Sequence, residues 1–303
     1  MSATIEFKDL TKKFGETLAV SNLSFSVEPG RVTGFLGPNG SGKSTSLRAL
    51  TGLIEPTSGS ALINGKRYAD IANPVKHVGA SLDATSFHPG RSGFNNLAII
   101  ADAAGISHKS VWEGMEQVGM TEAAKRRVQT YSLGMKQRLA IAAALIGNPE
   151  ILLLDEPANG LDPEGIAWMR GFLQYRAGLG HTVLISSHVL SEVQQTVDDV
   201  VIIRKGELVH SSTLEELVAS TTSHVEVVTP DVHKLETQLR FGWDGIHPSL
   251  IERIGSNALK IEGLAIELVG KIALTNGIEL HGLKENRVDL EQVFLDLTGE
   301  RHV

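Results

Sequence analysis

Apolar and polar positions change period several times along this chain, and each change marks an element. Thr4 to Leu10 and Asn22 to Val27 alternate apolar and polar residues, which predicts strands with one buried face. Ser60 to Ile63 runs into Asn64-Gly65, predicting a strand that enters a hairpin turn. Val32 to Leu36, Ile151 to Leu154 and Thr182 to Ser186 are instead mostly apolar throughout and end in polar residues or glycine, the pattern of strands buried on both faces of a parallel sheet. Between them Ser44 to Leu50, Asn95 to Ala104, Ser110 to Val118, Leu133 to Ile146 and Pro163 to Ala177 read as helices. Strand and helix alternate, so the expected core is α/β.

Phe94 to Val128 is mainly helical and lies between two core strands, which predicts a helical subdomain inserted into the sheet domain at about 85–147. A strand and hairpin over Val200 to Val209 follow, and then the pattern shifts. His224 to Val228, Ala258 to Ile261 and Glu279 to Leu283 read as strands alternating with helices, so residues 220–303 are expected to form a small α+β domain after a larger domain over 1–219. Its last helix is bounded by Asp289, with Gln292 three residues on, and by Gly299; Leu290, Val293, Phe294 and Leu297 form one apolar face. The apolar helix faces of this domain either pack on its own sheet or join two chains.

Composition narrows the function. The 303 residues are 42% hydrophobic and 21% charged, ordinary for a globular protein, and a net charge of −7 does not favour nonspecific nucleic-acid binding. With no cysteine, a disulfide framework, a thiolate metal site and a catalytic thiol are excluded, and a reducing cytoplasm is the expected setting. Glu6, Lys8 and Asp9 occupy the place where a signal peptide needs its apolar core. The longest apolar run, Leu139 to Gly147, falls far short of the ~18 residues that cross a bilayer, so a membrane role is expected to come through a partner.

Chemistry concentrates first at Gly37-Pro38-Asn39-Gly40-Ser41-Gly42-Lys43-Ser44, which matches the phosphate-binding loop pattern and sits between a predicted strand and a predicted helix. Glycines let successive backbone N–H groups turn onto phosphates, and the helix N-terminus adds partial positive charge. In that role Lys43 reaches the β- and γ-phosphates and the Ser44 hydroxyl ligates Mg²⁺. The second concentration is Asp155-Glu156 at the end of the buried strand Ile151 to Leu154, where open α/β sheets bind ligands. Asp155 is placed to hold Mg²⁺ through water, and Glu156 to orient or deprotonate an attacking water.

These motifs occur in a recognisable order. The loop at Gly37, the segment Tyr131-Ser132-Leu133-Gly134-Met135-Lys136-Gln137-Arg138, Asp155-Glu156-Pro157, Asn159-Gly160-Leu161-Asp162-Pro163 and Ser187-His188 together resemble the ATPase subunit of ABC transporters over about residues 4–215. The likeness is strongest to bacterial multidrug, lantibiotic and bacitracin-type exporters, whose ATPases also carry a C-terminal extension. The resemblance implies a phosphate-loop ATPase cassette with a mainly parallel core sheet, an antiparallel β subdomain and a helical subdomain. It implies ATP and Mg²⁺ as cofactors, with Phe14 stacking on adenine and Gly37 to Thr45 holding the nucleotide. It implies catalysis by Glu156, with His188 as the switch histidine and Lys43 on the phosphates. The signature Ser132, Leu133, Gly134 and Met135 then meets the ATP of a second subunit, and Asn159, Gly160, Leu161 and Asp162 cross the dimer interface. The implied partners are an integral membrane permease and a second copy of the chain or a homologous ATPase, at the cytoplasmic face of the cell membrane, with no nucleic acid. Locally, Ser132 also reads as a helix N-cap and Asp162-Pro163 as a helix start.

Two departures stand out. Leu133 and Met135 occupy positions where many members have Gly and Gln. Asp83, in Val78-Gly79-Ala80-Ser81-Leu82-Asp83, stands where most members have a metal-contacting Gln, and its shorter side chain is expected to reach the metal only through water. Alternatives from other classes are a soluble ABC ATPase acting in DNA repair or translation and a phosphate-loop small-molecule kinase. The first usually carries two cassettes, a coiled-coil insertion or a zinc site; the second does not need the signature, Asp162 or His188.

Overall fold

The computed structural model describes residues 4–83, 86–190, 194–219, 224–286 and 290–299. Contacts divide the described residues into two units, 4–214 with 297–299, and 215–296. In chain order the first runs β1 (Ile5–Phe14), β2 (Thr17–Val27), β3 (Val32–Leu36), α1 (Lys43–Leu50), β4 (Ser58–Ile63), β5 (Val78–Ser81), α2 (Gly93–Ala103), α3 (His108–Gln117), α4 (Leu133–Leu145), β6 (Ile151–Leu154), α5 (Pro163–Gly178), β7 (Thr182–Ser187), β8 (Asp199–Arg204) and β9 (Glu207–Thr213).

The wholly apolar runs become the interior of the main sheet, as strands covered on both faces must. Its order is β5-β6-β7-β3-β8-β9, with the first five strands parallel and β9 antiparallel at the edge. Every residue of β3, β6 and β7 is buried. The parallel registers Gly34↔Ile185 and Leu154↔Ile185 bring the C-terminal ends of β3, β6 and β7 to one edge, where the loops after them meet.

A smaller antiparallel sheet, β2-β1-β4, packs on this core. Phe7 and Phe25 from the small sheet stack at 4.5 Å, and Phe25 meets Phe35 of β3 at 5.2 Å, so three aromatic rings join the two sheets. Burying such a ring contributes about 1.5–3 kcal/mol over leaving it in water. The Asn64-Gly65 turn forms but closes only the bridge Ile63↔Lys66, because β4 takes β1 as its partner in place of a following strand. Helices α2, α3 and α4 occupy the stretch predicted as a helical insertion, and α2 and α4 begin with Ser92 and Ser132 as side-chain N-caps.

The second unit contains β10 (His224–Val228), α7 (Val232–Phe241), β11 (Leu250–Ile254), β12 (Ala258–Glu262), α8 (Ile266–Thr275) and β13 (Gly282–Asn286), after the short α6 (Leu214–Ala219). Its strand order β11-β12-β10-β13, all antiparallel, gives the ferredoxin-like βαββαβ topology. Val225, Val227, Leu259 and Ile261 on the sheet and Leu235, Leu239, Val269 and Ile272 on the helices form its core. The helix faces therefore pack on their own sheet. The final helix α9 (Leu290–Thr298) carries the buried Phe294 and is followed by Gly299 at φ 68°. Asp289, expected to cap it, and the side chain of Gln292 lie outside the described residues. Among the described residues no helix is long and apolar enough to cross a membrane.

Candidate functional site

The turn from β3 into α1 is built by backbone geometry that few side chains tolerate. Gly42 is the N-cap of α1 at φ 109°, and a β-carbon there would lie 2.6 Å from the Ala19 carbonyl oxygen, so both conformation and space require glycine. With no side-chain cap on α1, its first N–H groups are left for a ligand. The loop is braced from outside by Gly206, whose N–H donates to the Ser41 carbonyl at 2.8 Å.

Lys43 opens α1 and folds back over the loop. Its Nζ donates to the Gly37 carbonyl at 2.6 Å and the Pro38 carbonyl at 3.2 Å, and stands 3.6 Å from Glu156 Oε1. The side chain is 5% exposed. Burial pushes its ammonium below the ordinary lysine range, while the Glu156 and Asp155 carboxylates pull it back up. A buried cation is thus held beside two carboxylates at the end of the parallel sheet.

Glu156 is the hub of this arrangement. Its Oε2 lies 2.8 Å from His188 Nδ1, so Lys43, Glu156 and His188 form one connected line. The backbone of Glu156 is left-handed, at φ 49°, which costs a non-glycine residue about 1–2 kcal/mol and is a kind of strain that clusters at functional sites. Asp155 directly follows the last residue of β6: its N–H donates to the Ser81 carbonyl of β5 at 2.9 Å, and its Oδ1 accepts from the Ser186 hydroxyl.

Of the remaining predicted residues, Asn159 donates its N–H to the Glu156 carbonyl at 3.2 Å, and Ser132, Asp162, Phe14 and Asp83 sit apart from this line. Ser132 caps α4, its Oγ accepting the Met135 N–H at 3.2 Å, while remaining exposed. Asp162 caps α5 with Oδ1 on the Gly165 N–H at 2.7 Å, followed by Pro163 in the first turn. Leu133 and Gly134 lie against Gly160 and Leu161 of the same chain, so the segments predicted as signature and interface form one surface. Phe14 is 49% exposed at the end of β1, with Lys12 Nζ 4.9 Å from its ring centre. Asp83 is exposed and lines a cavity of about 410 Å³ with Thr51, Tyr68, Phe87, Ile100 and Ala140; neither Ser44 nor Asp155 lines it.

Two residues gain importance only in three dimensions. Ser186 of β7 and Gln137 of α4, both buried, hydrogen-bond to the Glu156 peptide. Their sequence signals are weak: a polar residue near the end of a fully buried strand, and a glutamine entering the buried stretch of a helix.

Residues 20–159 match the family described as ABC transporter. The chain is 37% identical to the bacitracin transport ATP-binding protein BcrA of Bacillus licheniformis, over 99% of this chain and 98% of that protein. It is 35% identical to the lantibiotic transport ATP-binding protein SrtF of Streptococcus pyogenes, over 70% of this chain and 95% of that one. Among solved structures, an ATP-binding subunit of an ABC transporter superposes with a TM-score of 0.64 at 26% identity, covering 71% of this chain and 92% of that one.

Proposed function

The chain belongs to the ABC transporter ATP-binding family, and on that premise we propose that it is the ATP-hydrolysing subunit of an export system for a drug, antibiotic or peptide, working on a separate membrane permease. The observation that carries this reading is the line Lys43, Glu156, His188 beside the uncapped N-terminus of α1. The names of the bacitracin and lantibiotic relatives support the export role. A kinase has no use for His188 on Glu156 or for the capped helix α4, and the match over 99% of this chain and 98% of a bacitracin transport ATP-binding protein favours export over repair or translation.

In this reading the α1 amides and Lys43 take the phosphates of ATP, and Phe14 stacks on the adenine. Glu156, held by His188, orients the attacking water and accepts its proton. Ser44 and Asp155 offer a hydroxyl and a carboxylate, and among the described residues no group of three or more His, Asp or Glu could hold a metal. That sparse set of hard oxygen donors fits Mg²⁺, which keeps several waters and takes oxygens from phosphate. Bound there, Mg²⁺ would neutralise charge on the β- and γ-phosphates. Ser132 and the α4 N-terminus face the ATP of a second subunit, and residues Asn159 to Asp162 cross between subunits. Closure of two chains on two ATP molecules drives the permease at the cytoplasmic face of the membrane, and hydrolysis reopens them.

The test is Glu156→Gln. Hydrolysis should fall by about 10²-fold or more, and size-exclusion chromatography with ATP should reveal a stable dimer. A variant that still hydrolyses ATP, or stays monomeric with it, would sink the assignment.

A further inference from the structure

The Glu156 peptide is gripped from both ends. Its N–H donates to Ser186 Oγ at 2.9 Å, and its carbonyl accepts from Gln137 Nε2 at 3.4 Å and from the Asn159 N–H at 3.2 Å. Ser186 is 0% exposed and Gln137 3% exposed, so water does not compete for either contact. A hydroxyl has one proton to give and lone pairs to receive. A backbone N–H can only donate, so the Ser186 oxygen receives from Glu156 while its own proton goes to Asp155 Oδ1. One buried hydroxyl therefore sets the spacing of two consecutive acidic residues.

Those contacts act on a conformation that is costly by itself. At φ 49° the Glu156 backbone gains by relaxing toward the right-handed or extended regions, and doing so would swing its carboxylate away from His188 and Lys43. The grip on the N–H comes from β7, in the core sheet. The grip on the carbonyl comes from the second turn of α4, the helix that Ser132 caps. Asn159, sharing that carbonyl, begins the segment on which Leu133 rests.

We propose that Ser186 and Gln137 are positioning residues for ATP hydrolysis, clamping the Glu156 backbone in its left-handed form, and that Gln137 makes the clamp depend on where α4 stands. The proposal rests on Glu156 being the residue that handles water. Movement of α4 toward or away from the core sheet tightens or slackens one arm of the clamp, so the carboxylate is aligned only when the signature helix is in place. That links the binding surface of one segment to the reacting geometry of another through the backbone of a single residue.

The test uses the full-length chain with Ser186→Ala, Gln137→Met, their combination, and Ser186→Thr, which keeps the hydroxyl. Expected are a kcat lower by about tenfold or more for Ser186→Ala, a smaller drop for Gln137→Met, and an ATP KM within about twofold of the parent. ATP affinity by fluorescence titration in EDTA should be retained. Because both side chains hold the φ/ψ of one residue, the double variant should lose less than the product of the single losses, and Ser186→Thr should recover most of the rate. Wild-type kcat in both single variants, or losses that multiply and track ATP affinity, would overturn the clamp. If Glu156→Gln is inactive while Ser186→Ala keeps the parent kcat, the clamp alone fails. If Glu156→Gln still hydrolyses ATP, the role of Glu156 fails and the clamp with it.

Discussion

Leu133 occupies the space that a side chain on Gly160 would need: a β-carbon built on Gly160 would come 2.5 Å from Leu133 Cγ and 3.2 Å from its Cβ. Leu133, a departure from the usual family residue, is thus accommodated by Gly160: a large residue on α4 is set over a glycine at φ 75°. Gly160→Ala should destabilise the chain by about 1–2 kcal/mol from the left-handed backbone alone, with a further loss from displaced Leu133. Leu133→Ala in the same chain should recover the packing part and leave the backbone part. Urea unfolding of the four members of the cycle measures this, and strictly additive single and double variants would refute the coupling.

Ser132 is expected to have two separable roles. Ser132→Ala removes the cap on α4 and should cost about 1 kcal/mol. Ser132→Asp restores a cap, since Asp serves well there, but sets a carboxylate against the γ-phosphate of a partner's ATP. The Asp variant should therefore unfold like the parent in urea and yet fail to form the ATP-dependent dimer in a Glu156→Gln background. A dimer of normal affinity would leave Ser132 as a cap only.

Asp83 tests how far the metal reading extends. If it touches Mg²⁺ through water, Asp83→Ala should raise the Mg²⁺ concentration needed for half-maximal hydrolysis while leaving ATP affinity in EDTA unchanged. Unaltered Mg²⁺ dependence, together with unaltered stimulation by the permease, would exclude Asp83 from the site and leave it to the cavity beside Tyr68 and Phe87.

His181 makes stability depend on pH. Burial, then the nearby Arg176 guanidinium, hold its pKa below the ordinary value, with Glu150 opposing, and Nδ1 is buried without a partner. The folded chain therefore keeps the ring neutral where the unfolded chain takes up a proton. Stability is full above about pH 6.5 and declines as the pH falls from there toward the folded pKa. His181→Gln should flatten that decline in urea midpoints taken across the interval; parallel curves for parent and variant would rule it out.

Much of the core was legible because its signal is local. Val32–Leu36 and Ile151–Leu154 are continuous apolar runs, and the structure places strands on those same residues. Strand β11 was not foreseen: four of its five residues are exposed, so its sequence lacks the alternation that a half-buried strand shows. The strand predicted over Glu279 to Leu283 forms instead over Gly282–Asn286, because Leu280 packs against the core from the loop ahead of the strand and only resembles a strand residue. At the site, motif residues announce themselves by spacing. Ser186 does not, and Gln137, though inside a motif segment, gives no sign of its partner, because their contacts to Glu156 span 30 and 19 residues and exist only once β7 and α4 are packed.

Helix α1 begins at a glycine that carries no capping side chain. A nucleotide whose phosphates meet those amides completes the helix as a cap would, and binding is then coupled to folding. At a free ATP concentration one hundred times its dissociation constant, linkage adds about 2.7 kcal/mol to stability. The concentration of nucleotide would then set how resistant the folded subunit is to unfolding, as well as how fast it works.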